Sequence, residues 1–155
     1  MSAKEEEFEI TRFLTRPTNH MEVEAELCKL FYKKFGEEAL PIIRAVFREW
    51  GLHLGQRRKA EMEGEGLKAA CETFLKPALQ REPKPEIIEL SDERLEMKIF
   101  ACPYHLKGWG RELCEAMEEM DGATMATLVG RELAGQHLKV IAAGDECCHV
   151  VMELK

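Results

Sequence analysis

The stretch Lys76–Pro85 constrains the fold more than any other, because it holds three prolines, at 77, 83 and 85. Proline removes a backbone donor and fixes φ, so neither a helix interior nor a central strand runs through such a segment. The hydrophobic period changes across it. Before it, apolar residues recur at helical steps; after it, they alternate as in half-buried strands. Three amphipathic helices need a surface to cover, and strands that follow in sequence supply one. The predicted fold class is therefore α+β: an antiparallel sheet of three to four strands, an N-terminal helical layer over it, and a further helix after the Cys-Pro loop. Residues 1–155 are expected to form a single α+β domain, with 1–17 an N-terminal arm, 18–80 the helical part and 86–155 the sheet-containing part. A chain of 155 residues is long enough for one sizeable core.

The arm carries Phe8, Ile10, Phe13 and Leu14 and ends at Pro17, a small apolar group able to dock on the domain or on a partner subunit. Thr18 or Asn19 can cap the first helix. From His20 to Phe35 the residues Val23, Leu27, Leu30, Phe31 and Phe35 predict one buried stripe, and Gly36 is a natural stop. Glu37 and Glu38 suit the positive end of a second helix, where Pro41 is tolerable in the first turn. Leu40, Ile43, Phe47, Trp50 and Leu54 predict its buried side. Gly51 and Gly55 share one face of that helix, at a cost of about 1 kcal/mol each relative to alanine. Close helix packing is the simplest compensation; close approach of a ligand is the alternative. Leu67, Ala70, Cys71, Phe74 and Leu75 predict a third helix after the Gly64–Gly66 break.

Glu86–Leu90 is a short strand candidate. In Arg94–Cys102, Leu95, Met97, Ile99 and Ala101 alternate with charged residues, the pattern of a half-buried strand that Pro103 ends. A helix from about Arg111 to Met120 follows, with Glu112, Glu115, Glu118 and Glu119 assigned to its outer side. Gly122 marks a break, and Asp121 can cap a helix beginning near Ala123. Ala123–Leu133 is ambiguous between helix and strand. Leu138, Val140 and Ala142 alternate, then Gly144-Asp145-Glu146 turns into Cys147–Leu154, which reads as a β-hairpin. In its last strand Cys148, Val150, Met152 and Leu154 take one face and Cys147, His149, Val151 and Glu153 the other.

No run approaches the roughly 18 apolar residues of a membrane span. Met1–Glu7 is acidic and lacks the apolar core of a secretory signal. A cytoplasmic location is therefore expected, in which the six cysteines stay reduced. The net charge of -7 argues against a nucleic-acid partner, and nothing points to a membrane partner. The expected partners are a small-molecule ligand or substrate and, as a candidate assembly, a homodimer. There is no Walker A loop, GxGxxG, HExxH, GxSxG or CxxC.

The reactive residues concentrate late in the chain. One reading is a metal site. Cys102 and His105 have a C-x2-H spacing, and Cys114, Cys148 and His149 can complete a nitrogen and sulfur set for zinc or iron. Another is thiol nucleophile chemistry: Cys147 and His149 share a strand face, Cys102 precedes a glycine-rich helix start that would lower a thiol pKa, and Asp121 and Asp145 can orient a histidine or water. A third is a binding module, in which Phe47, Trp50, Phe74, Phe100, Trp109 and the eight methionines contribute to an apolar pocket. Each cysteine also has the plainer reading of a small buried hydrophobe. His20, His53 and His137 have no neighbouring constellation in sequence and read as surface or capping residues.

Cys102-Pro103, Glu112-Leu113-Cys114, Asp121 and Gly144-Asp145-x-x-Cys148-x-Val150 occur in an order that resembles the L-2-amino-thiazoline-4-carboxylic acid hydrolase-like family. Phe35-Gly36-Glu37-Glu38-Ala39-Leu40, then Trp50-Gly51 and Gly55, look like that family's helical half. The terminal Gly-Asp-x-x-Cys segment is also similar to 4-vinyl reductase-like small-molecule-binding domains. The first resemblance implies opening of a cyclic amidine thioether by water, with Cys102, Cys114, Asp121, Asp145 and Cys148 at the matched positions. The family pattern often has another cysteine between the positions of Cys114 and Asp121, where this chain has Glu115–Met120. The second resemblance implies a small-molecule or metal sensor or carrier without turnover.

Overall fold

The structure is a computed structural model that describes residues 2–6 and 15–155. The apolar group of the arm, Phe8 to Leu14, lies outside the described residues. Four helices and four strands follow in the order α1 (His20–Phe35), α2 (Leu40–Lys59), α3 (Gly66–Leu75), β1 (Glu86–Leu90), β2 (Arg94–Ile99), α4 (Arg111–Val129), β3 (Leu133–Lys139) and β4 (Cys148–Leu154). The strands form one antiparallel sheet in the order β1-β2-β4-β3. The α+β architecture read from the hydrophobic periods is the one observed.

Helix α1 starts where Asn19 caps it: the side-chain oxygen accepts from the Glu22 backbone N–H at 2.9 Å. It ends at Gly36, whose φ of 61° is natural for glycine. Its buried side differs from the expected stripe. Val23 and Leu27 are exposed, while Ala25, Glu26 and Lys29 are buried. The helix is thus rotated relative to the most hydrophobic stripe. Two charges can be buried because they satisfy each other: Lys29 Nζ lies 2.7 Å from Glu26 and sits over the Trp109 ring at 5.7 Å.

Residues Gly36–Ala39 form a 3-10 turn, and α2 begins after it with Pro41 in its first turn. Ile43, Phe47, Gly51 and Gly55 are its buried line. Trp50, expected inside, is 44% exposed. The two glycines explain the shift. A Cβ on Gly51 would lie 2.3 Å from the Met120 carbonyl oxygen, and one on Gly55 2.5 Å from Thr127 Cβ. Backbone-to-backbone approach of α2 and α4 therefore selects the glycine face for burial and turns Trp50 outward. Close helix packing, not ligand approach, is what these glycines serve.

Helix α4 lies between two buried clusters. One contains Ala25, Ile43, Phe47, Leu106, Leu113, Cys114, Met117 and Val140. The other contains Leu67, Cys71, Leu95, Met97, Met125, Leu128 and Val150, between α3 and the inner face of the sheet. The expected break at Gly122 is absent, because Met117, Ala123, Thr124, Met125 and Leu128 are all buried on the continuing helix. Their burial outweighs the roughly 1 kcal/mol cost of one glycine. Asp121 is accordingly in the middle of a helix and not a cap. Gly130 closes α4 in the left-handed conformation. The next strand starts at Leu133, earlier than the sequence period suggests. It ends at Lys139, and Ile141–Ala143 is a 3-10 turn and not a strand.

Candidate functional site

Two loops meet beside the end of the sheet. The first leaves β2 through Phe100, Ala101 and Cys102 and turns at His105, whose backbone N–H donates to the Cys102 carbonyl at 3.1 Å. His105 has φ of 52°, unusual for a non-glycine residue. The second is the Ile141–Ala143 turn with Gly144 and Asp145. Asp145 Oδ2 accepts from the Val140 backbone N–H at 2.7 Å, and its own N–H donates to the Val140 carbonyl at 3.2 Å. These two bonds close the turn. Between them lies an open pocket of about 290 Å³ lined by Phe100, Cys102, His105, Lys107, Asp145 and Glu146, among others. That volume is at the lower end of the ~300–1,000 Å³ typical of small-molecule sites.

Thiols continue the site inward. Cys148 begins β4 on the inner face, as the alternation predicts, opposite Ile99. Its sulfur accepts from the Ile141 backbone N–H at 3.4 Å. Cys114 is buried on α4, and half-buried Cys102 packs against the same cluster. The three are close enough for Cys102 and Cys148 to disfavour a thiolate at Cys114, and for Cys102 to do the same at Cys148. The larger cause is burial, which pushes the Cys114 and Cys148 thiols above the ordinary range. Both are neutral near pH 7. A nucleophilic cysteine needs the opposite shift. Cys147 is buried in the turn before β4.

A carboxylate that the sequence places on the outer side proves to be central. Glu118 faces the sheet from α4, where its charge lies near Cys114, Cys148 and Asp121. Its Oε2 is 3.1 Å from His137 Nε2 of β3. His137 pairs in register with Val150, so it points to the helix side of the sheet. The Glu118 carboxylate raises the His137 imidazole pKa, by hydrogen bond first and charge second, against the opposing effect of burial. Asp121 is one turn further along α4. Burial, and then the Glu118 charge, push its carboxyl up to about 7, with His137 opposing. Among the described residues no side-chain hydrogen bond reaches the Asp121 carboxyl. Sequence reasoning missed Glu118 and His137. The signal for Glu118 was present: Cys114, Glu118 and Asp121 follow the i, i+4, i+7 line of one helix face. His137 had none, because its partner is distant in sequence.

The five candidate metal ligands are not brought together. Cys102, Cys114 and Cys148 share a neighbourhood, but the His105 ring turns to Glu22 at the pocket rim and His149 lies on the other face of the sheet. His105 Nε2 lies 3.3 Å from Glu22 at the surface. His149 Nε2 lies 2.7 Å from Glu96 on the outer face of the sheet. Among the described residues no three His, Cys, Asp or Glu side chains are grouped to hold a metal ion. Of the four candidate catalytic residues, Cys102 and Asp145 line the pocket, Cys148 lies behind it, and Asp121 lies on the α4 face beyond.

The fold is that of a small α+β domain, with helices against a four-stranded antiparallel sheet. The chain is similar to the phenol-responsive sensory domain of the transcription activator PoxR, solved with phenol. That likeness covers 99% of this chain and 92% of the other, with a TM-score of 0.64 at 12% identity. It is also similar to a trafficking protein particle complex subunit 3 from Naegleria fowleri, solved covalently bound to palmitic acid. There the coverage is 87% and 95%, with a TM-score of 0.57 at 14% identity. No protein-family model and no curated protein matches the sequence. Among the described residues no helix is long and apolar enough to cross a membrane.

Proposed function

We propose that this protein is a small-molecule-binding domain that acts as a sensor or carrier, without turnover. The observation that carries this reading is the continuity of the site. The 290 Å³ pocket shares Cys102 with a group of neutral thiols, which leads to the Glu118, Asp121 and His137 side chains. The lining sets Phe100, Cys102 and Ile141 beside Lys107, Asp145 and Glu146, so it offers a compact ligand both apolar contact and polar groups that fix its orientation. The fold likeness to the phenol-responsive domain over almost the whole chain supports it. The pocket suits a compact ligand better than a long acyl chain. Calorimetric titration with a panel of small phenols and short-chain acids, alongside palmitate, tests the reading. Saturable binding of a compact ligand, lost in Cys102→Trp while the fold is kept, is expected. Absence of binding by every member of the panel sinks the proposal.

A second reading is favoured by the raised Asp121 carboxyl, which falls in the range of a general base at neutral pH. On this reading the protein is a hydrolase that opens a ring such as 2-amino-thiazoline-4-carboxylate. Water adds to the amidine carbon and Asp121 takes its proton. The carbon–sulfur bond then breaks, and the sulfur leaves with a proton as a free thiol. Cys102 lines the pocket, Cys148 lies behind it, and Asp145 holds the turn. Thiol release from that substrate, abolished by Asp121→Asn, is the expected result. No thiol release above the uncatalysed rate removes this reading and leaves the binding reading standing.

A further inference from the structure

Among the described residues, nothing covers the face of α2 opposite the Gly51/Gly55 line. Ile42 is 54% exposed, Val46 62% and Trp50 44%, and the Trp50 ring stacks on His53 at 5.5 Å. Ile42, Val46, Glu49 and His53 follow successive i, i+4 and i, i+3 steps, so they form one stripe along the helix. Isolated surface apolar residues need no explanation, but a stripe over three turns of one helix marks a contact surface.

The charges at its two ends indicate what covers it. Glu37 and Glu38 stand just before the stripe, exposed in the 3-10 turn. Exposed Arg57 stands at the other end. The neighbouring cations are committed elsewhere: Arg58 donates to the Thr73 and Phe74 carbonyls, and Arg44 and Arg48 pair with Glu119 of α4. Among the described residues Glu37, Glu38 and Arg57 make no ion pair. An antiparallel copy of the same helix, crossed near the Val46–Glu49 midpoint, brings Glu38 of each chain opposite Arg57 of the other. Positions 38 and 57 are almost equally far from that midpoint, which is what a two-fold axis requires. An anionic membrane has no use for the acidic end.

We propose that the exposed face of α2 is a homodimer interface, in which two copies pack antiparallel through Ile42, Val46 and Trp50 with reciprocal Glu38–Arg57 pairs. Glu49 within the stripe keeps the association weak and reversible. The ligand pocket opens between the β2 and Ile141–Glu146 loops, away from these residues, so the dimer does not depend on the functional reading above.

Sedimentation equilibrium of the full chain over a wide concentration range tests this. The wild-type mass is expected to rise from one chain towards two. Val46→Glu is expected to remain one chain at the same concentrations, with an unchanged circular dichroism spectrum and melting curve. Glu38→Arg and Arg57→Glu each place like charges together twice per dimer and are expected to weaken association about tenfold. The double variant Glu38→Arg/Arg57→Glu restores the pairing with reversed sign and is expected to recover the dimer. Three outcomes overturn the proposal: a wild-type chain that stays monomeric into the millimolar range, a dimer indifferent to Val46→Glu, or a double variant no better than the single ones.

Discussion

His137 Nε2 of the edge strand β3 lies 3.1 Å from Glu118 Oε2 of helix α4. The pair ties the edge of the sheet to the helix between the two cores, and it gives the protein a pH dependence. Glu118 raises the folded-state pKa of His137 above its ordinary 6.5. The folded state therefore holds the proton more tightly than the unfolded chain does. The stabilisation is fully present below about pH 6.5 and is lost as pH rises through the folded value. His137→Gln should cost about 0.5–1 kcal/mol at pH 5.5 and little at pH 8.5. Urea unfolding of both proteins at the two pH values checks this.

Asp121 adds a slope of the same direction from an acid. Its carboxyl is raised from 3.8 to about 7 in the fold. Between these values folding takes up a proton, so stability falls as pH rises through that window. Asp121→Asn removes the titration. It should be more stable than the wild type at pH 8 by about 1–2 kcal/mol, a figure reduced for partial solvent access, with the gain gone below pH 4. A wild-type advantage at pH 8 would contradict the burial argument.

The helix glycines should respond in opposite senses. Gly122→Ala meets nothing within 4 Å and should stabilise by about 0.5–1 kcal/mol through helix propensity. Gly51→Ala drives a methyl into the Met120 backbone and should destabilise by about 2 kcal/mol despite the same propensity gain. Thermal melts of the two variants read the difference directly.

The thiols should separate by alkylation. Burial pushes the Cys71 thiol up to about 12 and the Cys28 thiol to about 11, while Cys102 is half-exposed in the pocket lining. Iodoacetamide at neutral pH, followed by peptide mass analysis, should mark Cys102 first and leave Cys71 and Cys114 for last. A compact ligand bound in the pocket should slow labelling of Cys102 alone.

Asp145→Ala should cost about 1 kcal/mol, the usual worth of a lost hydrogen bond, because Val140 N–H then lacks its carboxylate acceptor. The same change should loosen the pocket rim, so weaker ligand binding should accompany the lower melting temperature.

Much of the site was legible from local pattern. The alternation of β4 assigned Cys148 inward, and Cys148, the Asp145 turn and the Cys102 loop do meet. The conspicuous Cys147-Cys148-His149 run divides into separate environments, with His149 bound to Glu96 on the outer sheet face. Glu118 was misplaced because a glutamate in an acidic helix reads as solvated. Only the approach of β3 brings His137 to that face.

The sequence by itself determined that helices precede the strands and where most elements lie, while Ala123–Leu133 stayed open between helix and strand. Those follow from short-range properties: period, proline, glycine and caps. Tertiary structure alone decided which face of each helix is buried. Gly51 and Gly55 fit against α4 more closely than Trp50 can, so the larger apolar residue faces outward. On α4, continuous burial from Met117 to Leu128 carried the helix through Gly122 and set Asp121 against the sheet instead of at a cap. Face selection depends on the shape of neighbours distant in sequence, and a local hydrophobic period does not contain that shape.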